Sequence, residues 1–203
     1  MEVHALRQGQ IRPKAAAQMC RRLQKTQDRV ERGSAASGIR GMVHKLTEFE
    51  KSIAMFLAGR HNEKEAKYGA MTYDNGSGVN AHYIGICGEI AVAQLLGGKM
   101  DFSTYDRGDT GIDLSILGVN VDVKTTTYMK DPWLRVELEH WKSDTCYVLC
   151  AFDGEVVKLV GRCSGRFIKK HGEKKRLTKN GPENYILSGT KLPKFKIKDH
   201  SAK

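Results

Sequence analysis

Residues 112–124, which read IDLSILGVNVDVK, decide the fold of this 203-residue chain. Apolar and polar residues alternate on both sides of a Leu-Gly pair at 117–118, a pattern typical of two strands joined by a tight turn. The register that this turn sets places Asp113 directly opposite Asp122. The segment therefore predicts a β-hairpin with one apolar face and a second face that carries two facing aspartates.

The facing aspartates indicate a site for a divalent cation. Directly opposed side chains in an antiparallel pair have Cβ atoms roughly 5 Å apart, so two carboxylates there repel each other unless a positive charge lies between them. Mg²⁺ and Mn²⁺ prefer oxygen ligands of this kind. Lys124 follows Asp122 on the same face, where its ammonium group would reach a metal-bound water or a phosphate oxygen. The alternative is an exposed hairpin face with ordinary polar residues.

A third carboxylate belongs to Glu89, within the segment NAHYIGICGEIAVAQLLGG at 80–98. The segment has almost no polar face, which predicts a buried helix with Asn80 as its N-cap and the final Gly-Gly pair as its stop. A buried carboxylate is costly, so we expect Glu89 to bind a metal or to pair with a buried arginine or lysine. Gly85 and Gly88 predict a close approach by backbone, metal or substrate.

These segments together resemble the PD-(D/E)XK nuclease superfamily. The resemblance lies in GICGEIAVAQLLG at 85–97, TGIDLSILGVNVDVKTTT at 110–127 and CYVLCAFD at 146–153, which follow one another in the order of that family. Ile112 stands where many members have a proline. The resemblance implies an α/β fold: a restriction-endonuclease-like αβββαβ core with a mixed central sheet.

The resemblance also implies a function and a metal site. The chain would be a Mg²⁺-dependent nuclease that hydrolyses DNA phosphodiester bonds with a metal-activated water. Endonuclease action is favoured, and exonuclease action stays open. Asp113, Asp122 and the main-chain carbonyl of Val123 would bind Mg²⁺ or Mn²⁺. Glu89 would complete the site or hold a metal-bound water.

Three further residues gain roles from the same resemblance. Lys124 would orient the attacking water and stabilise the negative charge that develops on the phosphate. Thr125 and Thr126 would contact the metal ligands or the DNA backbone. Asp109, in the loop before Asp113, is a competing acid. Two alternatives stay open: a noncatalytic nucleic-acid-binding protein with the same fold, and a nuclease that acts on RNA.

The charge distribution is typical of a protein that binds nucleic acid. Of the formal net charge of +11, residues 1–45 carry +7, residues 46–159 carry −6 and residues 160–203 carry +10. Basic segments neutralise phosphates, which gives salt-dependent binding without sequence preference. We expect the densest segment, 166–181, to be a mobile loop that binds DNA, although a charge run is also ordinary solvated surface. Its candidate DNA-binding residues are Lys169, Lys170, Lys174, Lys175, Arg176 and Lys179.

Residues 1–41 are predicted to form a basic arm, with a helix at 13–32 and a flexible linker at 33–41, ahead of a nuclease domain at 42–203. The narrow apolar stripe of the arm helix is a candidate homodimer contact. A second helix is predicted to begin at Thr47 with a capping box. Its inward residues are expected to be Phe49, Ile53, Phe56 and Leu57.

Two tryptophans flank a segment that alternates like a strand at 133–141 and is expected to extend the sheet. Trp133 and Trp141 are either core residues or platforms for base stacking. The Asp153-Gly154 pair predicts a turn into a further strand.

The chain is expected to be soluble and cytoplasmic. It has no apolar run near the roughly 20 residues that span a bilayer, and its first residues lack the apolar segment of a secretory signal. Its five cysteines are odd in number and form no CxxC pair, which argues against a disulfide framework. We therefore expect DNA, and no membrane, as its partner.

Overall fold

The computed structural model describes residues 42–68, 78–100 and 113–195. The predicted arm at 1–41, with its candidate dimer contact, lies outside the described residues, and so does Asp109. No helix within the described ranges is long and apolar enough to cross a membrane.

The described residues form three helices and nine strands. In chain order these are β1 Val43–Lys45, α1 Glu48–Tyr68, α2 Gly78–Leu96, β2 Lys99–Met100, β3 Leu114–Ile116, β4 Val119–Thr126, β5 Trp133–Glu137, β6 Cys146–Phe152, β7 Val156–Ser164, α3 Gly165–His171, β8 Glu173–Arg176 and β9 Glu183–Ser188.

The strands form two sheets stacked in layers. The large sheet has the order β1-β7-β6-β4-β3-β2, and the small sheet has the order β5-β9-β8. Only β4 and β6 pair in parallel, so the large sheet is mixed, as predicted. Apolar residues of α1 and α2 pack on one face of the large sheet, and the small sheet and α3 pack on the other. Because β6 is covered on both faces, all seven of its residues are buried.

The predicted αβββαβ order is present only in part. α2, β2, β3 and β4 follow one another in the expected α-β-β-β order. The connection from β4 to β6 at 127–145 then contains strand β5 where the predicted order has a helix. Alternation in this segment predicted the strand correctly, but β5 belongs to the small sheet and does not extend the large one. A mixed α/β fold is confirmed, whereas the restriction-endonuclease-like core stays a prediction.

Helix α2 ends as predicted and begins earlier than predicted. Gly97 has a φ of 69°, and the Gly98 N–H donates to the Ala93 carbonyl at 3.0 Å, which is a Schellman stop. The helix begins at Gly78, so Asn80 lies in its first turn and the predicted N-cap is wrong. Asparagine is tolerated in a first turn, so its presence there located the helix start only to within a few residues.

The capping box of α1 is confirmed. The Thr47 N–H donates to Glu50 Oε2 at 2.8 Å, and the Glu50 N–H donates to the Thr47 hydroxyl at 3.2 Å. The predicted inward face is confirmed for Ile53 and Leu57, which pack against the core. It is wrong for Phe49 and Phe56, which are 74% and 65% exposed while Ala54 is fully buried. At about 100° per residue, Phe49 lies about 140° around the helix from Ala54. The small residues on that face let α1 pack closely on α2.

The basic segment 166–181 is not a mobile loop, so that prediction is wrong. It forms most of α3 and all of β8. The Ser164 hydroxyl caps α3 by accepting from the Phe167 N–H at 3.2 Å, and Ile168 is fully buried against the small sheet. A few apolar residues between the lysines are enough to hold a short helix and an edge strand in place.

Candidate active site

The predicted hairpin is confirmed up to the last pair of its ladder. Leu114 pairs with Val121, and the register is the predicted one through the turn. Leu117 and Gly118 both have positive φ values, 52° and 76°, as a two-residue hairpin turn requires. The apolar face of the hairpin enters the core against α2, so the register is fixed by burial on that side.

Strands β3 and β4 part at Asp113. The ladder ends at Leu114, one residue short of the predicted pair between Asp113 and Asp122. The Asp113 N–H donates to the Val121 carbonyl at 3.0 Å, and Asp113 Oδ2 accepts from the Val123 N–H at 2.6 Å. The predicted pairing is therefore wrong, because the Asp113 carboxylate turns to satisfy an edge N–H of β4. The Asp113 carboxylate still contacts the peptide group that joins Asp122 to Val123.

Asp122 is a buried carboxylate beside a lysine. It is 2% exposed, and its Oδ1 lies 2.7 Å from Lys124 Nζ. The contact is an ion pair by distance and lies outside hydrogen-bond geometry. The Lys124 side chain is 40% exposed, so the pair extends from the interior to the surface. The predicted neighbours Asp122 and Lys124 are thus in contact.

Tyr147 of β6 is the residue that pairs with Asp122 across the parallel ladder. Burial raises the pKa of Tyr147 to about 12; the charge of Asp122 adds to this shift, while the Lys142 N–H bond and the charge of Lys124 oppose it. The Lys142 N–H donates to the Tyr147 hydroxyl at 2.9 Å. A neutral tyrosine therefore lies next to the ion pair. The continuous apolar run of its strand is the only sequence signal that indicated its burial, and no signal indicated its place beside Asp122.

The two faces of β4 differ in what covers them. Asp122 and Lys124 pair with residues of β6 that pack against the small sheet, Tyr147 and Leu149. Val123 belongs to the core shared with α2, because successive strand residues point to opposite faces. The ion pair thus projects from the face of the large sheet away from α2.

Gly88 is where α2 approaches β4 most closely. A Cβ atom at this position would overlap with the hydroxyl of Thr125. The close approach predicted at Gly88 is therefore present, but a side chain makes it rather than backbone, metal or substrate. A Cβ atom at Gly85 would meet nothing within 4 Å, so the structure shows no such approach at Gly85. Thr125 Oγ1 is buried, with no hydrogen-bond partner among the described residues. Thr126 lies half-buried at the end of β4.

Glu89 follows Gly88 on α2 and is half-buried rather than buried. Its helix covers the face of the sheet opposite to Asp122. Within the described ranges, no three Asp, Glu, His or Cys side chains lie close enough together to hold one metal ion. The structure therefore brings together Asp113, Asp122 and Lys124, and it does not add Glu89 to them as a third carboxylate of one cluster.

The six candidate DNA-binding residues form what we call the basic surface, and all of them are exposed. It lies on α3, β8 and the turn after β8, in the layer on the Asp122 side of the large sheet. Lys169 Nζ lies 4.8 Å from the centroid of the Trp141 ring, and Lys174 Nζ lies 5.6 Å from that of Tyr185. Cation–π contacts of this kind position the lysine heads. The residues of the basic surface are Lys169, Lys170, Lys174, Lys175, Arg176 and Lys179.

The two tryptophans have different environments. Trp141 is half-buried, donates its ring N–H to the Gly165 carbonyl at 2.9 Å and packs edge-on against Tyr185. Trp133 is 55% exposed. Trp141 is a core residue, and Trp133 is available for contacts outside the chain.

Comparison of the chain with protein-family models, with curated proteins and with solved structures finds no match. The resemblance to PD-(D/E)XK nucleases therefore rests on the motifs at 85–97, 110–127 and 146–153.

Proposed function

We propose that the protein is a Mg²⁺-dependent nuclease that hydrolyses phosphodiester bonds in DNA. The observation that carries the proposal is the position of Asp122 and Lys124. They form a 2.7 Å ion pair at the point where β3 and β4 part, next to the carboxylate of Asp113. Buried charges held by a specific partner are concentrated at functional sites.

The energetic cost of this arrangement supports a functional reading. A buried carboxylate loses hydration, and its attraction to a half-exposed lysine offsets that loss only in part. Among the residues whose burial the structure describes, Asp122 is the only charged residue that is buried. Such a costly placement is unusual for a residue that only packs, and chemistry gives a reason for it.

The carboxylates present suit a hard divalent ion. Mg²⁺ is commonly bound by one or two carboxylates and keeps several waters. Asp113, Asp122 and the Val123 carbonyl would hold it, and Mn²⁺ would accept the same ligands. Glu89 has no part in this ligand set, because α2 covers the opposite face of the sheet from Asp122. When bound, the metal supplies a water of lowered pKa and neutralises charge on the phosphate.

Lys124 has the geometry for the remaining role. Its ammonium is fixed by Asp122 at one side and reaches solvent at the other. A preorganised cation of this kind stabilises the negative charge that develops on nonbridging phosphate oxygens. It would also orient the attacking water.

The basic surface supports DNA as the substrate. Its lysines and arginine lie in the layer on the same side of the large sheet as the ion pair. Phosphate contacts there would position the backbone without reading its sequence. Thr125 and Thr126 would make further contacts at the end of β4.

The experiment is a cleavage assay with Mg²⁺ on labelled linear and circular DNA. Asp122→Asn and Lys124→Met should each lower the rate by on the order of 1000-fold, the effect of several kcal/mol of transition-state stabilisation. The matched controls are Asp144→Asn and Lys158→Met, which alter an exposed acid and an exposed lysine away from the site. Their rates should equal that of the parent chain.

Activity that survives both site substitutions would refute the proposed site. Cleavage of circular DNA by the parent chain would establish endonuclease action. Faster cleavage of an RNA of the same sequence would replace DNA by RNA as the substrate.

A noncatalytic nucleic-acid-binding protein is the second candidate. It is favoured by the finding that no three carboxylates form one metal-sized cluster among the described residues. Salt-dependent DNA binding by the parent chain, with no cleavage in Mg²⁺ or Mn²⁺, would establish it.

A further inference from the structure

A cluster of large side chains lies in solvent directly after strand β4. Tyr128 is 75% exposed, Met129 is 42% exposed, and Trp133, at the start of β5, is 55% exposed. Large exposed side chains that lie close together are typical of a binding surface. We call residues 127–133 the aromatic loop.

The aromatic loop lies near the proposed active site. Tyr128 follows Lys124 by four residues, so their Cα atoms are at most about 14 Å apart. A few nucleotides span that distance. A nucleic acid with a phosphate at Lys124 therefore passes within reach of the loop.

The aromatic loop is held at both ends. The Thr126 hydroxyl accepts from the Tyr128 N–H at 3.2 Å. Pro132 is buried, and its carbonyl accepts from the Gly189 N–H at 2.7 Å. A Cβ atom at Gly189 would lie 2.7 Å from the same carbonyl oxygen, so glycine is required for this contact. Since the ends are fixed, less conformational freedom is lost when the exposed rings bind a ligand.

Two cations and one acid lie at the aromatic loop. Lys130 and Asp131 lie within the loop and Lys191 lies in the turn that follows the Ser188 end of β9, and all three are exposed. The excess of positive charge matches a nucleic acid. Rings set among cations are typical of surfaces that bind single strands, because the rings stack on bases while the cations contact phosphates. In a continuous duplex the faces of the bases are covered by their neighbours.

We infer that Tyr128 and Trp133 stack on unpaired nucleobases, and that the protein therefore prefers nucleic acid with single-stranded or branched segments over a continuous duplex. The inference rests on the proposed function, and it specifies which form of nucleic acid, single-stranded or branched, the protein prefers.

The test is binding of the full chain to a fluorescein-labelled thymine oligonucleotide and to a duplex of the same length, by fluorescence anisotropy in EDTA. Tyr128→Ala and Trp133→Ala should each weaken single-strand binding by at least about fivefold, the effect of losing one stacked base. Duplex binding should change little. The matched control is Phe49→Ala, since Phe49 is 74% exposed and lies on α1.

Conservative substitutions separate stacking from folding. Tyr128→Phe and Trp133→Phe keep a ring and should bind the single strand like the parent chain. Trp133 is one of two tryptophans in the chain. The other, Trp141, lies in the core, where its ring N–H donates to the Gly165 carbonyl. Oligonucleotide should therefore quench the tryptophan fluorescence of the parent chain and not that of Trp133→Phe.

Single-strand binding unchanged in both alanine variants would overturn the inference and would leave the aromatic loop as a surface for a protein partner. Equal weakening for duplex and single strand would also overturn it. Cleavage of labelled DNA by the parent chain, measured in parallel with Mg²⁺, tests the proposed function separately, because binding in EDTA does not depend on catalysis.

Discussion

Strands β4 and β6 are parallel neighbours in different environments. They pair from Val121 with Cys146 to Thr126 with Ala151, and both contribute to the core against α2. On the other face, the apolar core under the small sheet includes residues of β6 and, among the described residues, none of β4. Every residue of β6 is buried, whereas β4 carries Asp122, Lys124 and two threonines. The polar residues of β4 thus lie where the strand leaves the apolar core, which is the place that the proposed function requires.

The difference follows from the edges of the two strands. β6 is paired with β4 on one side and with β7 on the other. Among the described residues, β4 has no strand partner on its β3 side beyond Val121. The Lys124 side chain, past that last pair, is 40% exposed, whereas every residue of β6 is buried.

The largest effect on stability is expected from placing a carboxylate in β6, since β4 has one in its buried part. Val148 is 1% exposed and pairs with Val123 in the core against α2. Val148→Asp places a carboxylate there without a lysine, which should destabilise the protein by about 4 kcal/mol or more. Urea unfolding followed by circular dichroism measures the loss.

The control for this experiment is Val148→Ala, which removes volume and adds no charge. Its cost should be smaller than that of Val148→Asp. Equal costs for the two variants would show that the enclosed strand tolerates charge, and the contrast between β4 and β6 would fail.

A smaller effect is expected from breaking the ion pair of β4. Lys124→Met leaves the Asp122 carboxylate without its lysine, which should lower the free energy of unfolding by up to about 3 kcal/mol. Adding Asp122→Leu in the same chain should restore most of that loss, because an apolar pair needs no hydration. The double variant should fold and should not cleave DNA.

Equilibrium unfolding of the two variants beside the parent chain decides this prediction. If the double variant is less stable than Lys124→Met alone, the ion pair stabilises the fold. The comparison of β4 with β6 then no longer supports a catalytic role for the pair.

The contact of α2 with β4 gives the next effect. Gly88→Ala would force its methyl group against the Thr125 hydroxyl, at a cost of about 1–3 kcal/mol. Thr125→Ala removes that hydroxyl, so the double variant should recover part of the cost. Gly85→Ala is the matched control, since a Cβ there meets nothing within 4 Å. Gly85→Ala should be neutral or stabilising.

The smallest effect is expected at the capping box of α1, away from both strands. It gives a reference value for a change in stability that involves neither β4 nor β6. Burial acts to raise the pKa of Glu50, but hydrogen bonds from Thr47 and the charge of His44 hold it below 4.5. Because the folded pKa is depressed, the stabilisation is complete above pH 4.5 and is lost as the pH falls through the folded pKa.

Glu50→Gln should therefore lower stability by about 1 kcal/mol near neutral pH, and the difference from the parent chain should shrink in acid. Thermal unfolding at several pH values measures it. Glu48→Gln is the control, because Glu48 is an exposed glutamate in the same turn. A difference for Glu50→Gln that stays constant with pH would contradict the assigned cause.

Local sequence patterns predicted the parts of the structure that neighbouring residues determine. The hairpin register, the glycine stop of α2, the capping box at Thr47 and the Asp153-Gly154 turn are all present. Each depends on residues close in the chain, so period and turn chemistry were sufficient. The contact of Asp122 with Lys124 belongs to the same class, because both lie on one strand face.

Features set by distant parts of the chain were not predicted. The sheet that β5 joins depends on its pairing with β9, more than forty positions later, which no local pattern encodes. The exposure of Phe49 and Phe56 depends on the angle at which α2 packs. The departure of Asp113 from the ladder depends on an edge N–H that only the folded sheet creates. The exposure of Tyr128 was not predicted for the same reason, and for Trp133 the sequence left core and stacking roles open, since an aromatic residue looks the same in a sequence whether buried or not.

The four described cysteines are buried thiols outside any disulfide, and they divide between the layers. Cys87, Cys146 and Cys150 lie in the core against α2, and Cys163 lies in the core under the small sheet. Burial raises the pKa of Cys87 to about 11 and also raises the pKa of Cys150. Since only the thiolate is nucleophilic, an alkylating reagent can modify these groups only when their layer opens. The native chain thus contains its own reporters, and the order in which mass spectrometry detects their labelling gives the order in which the two layers come apart.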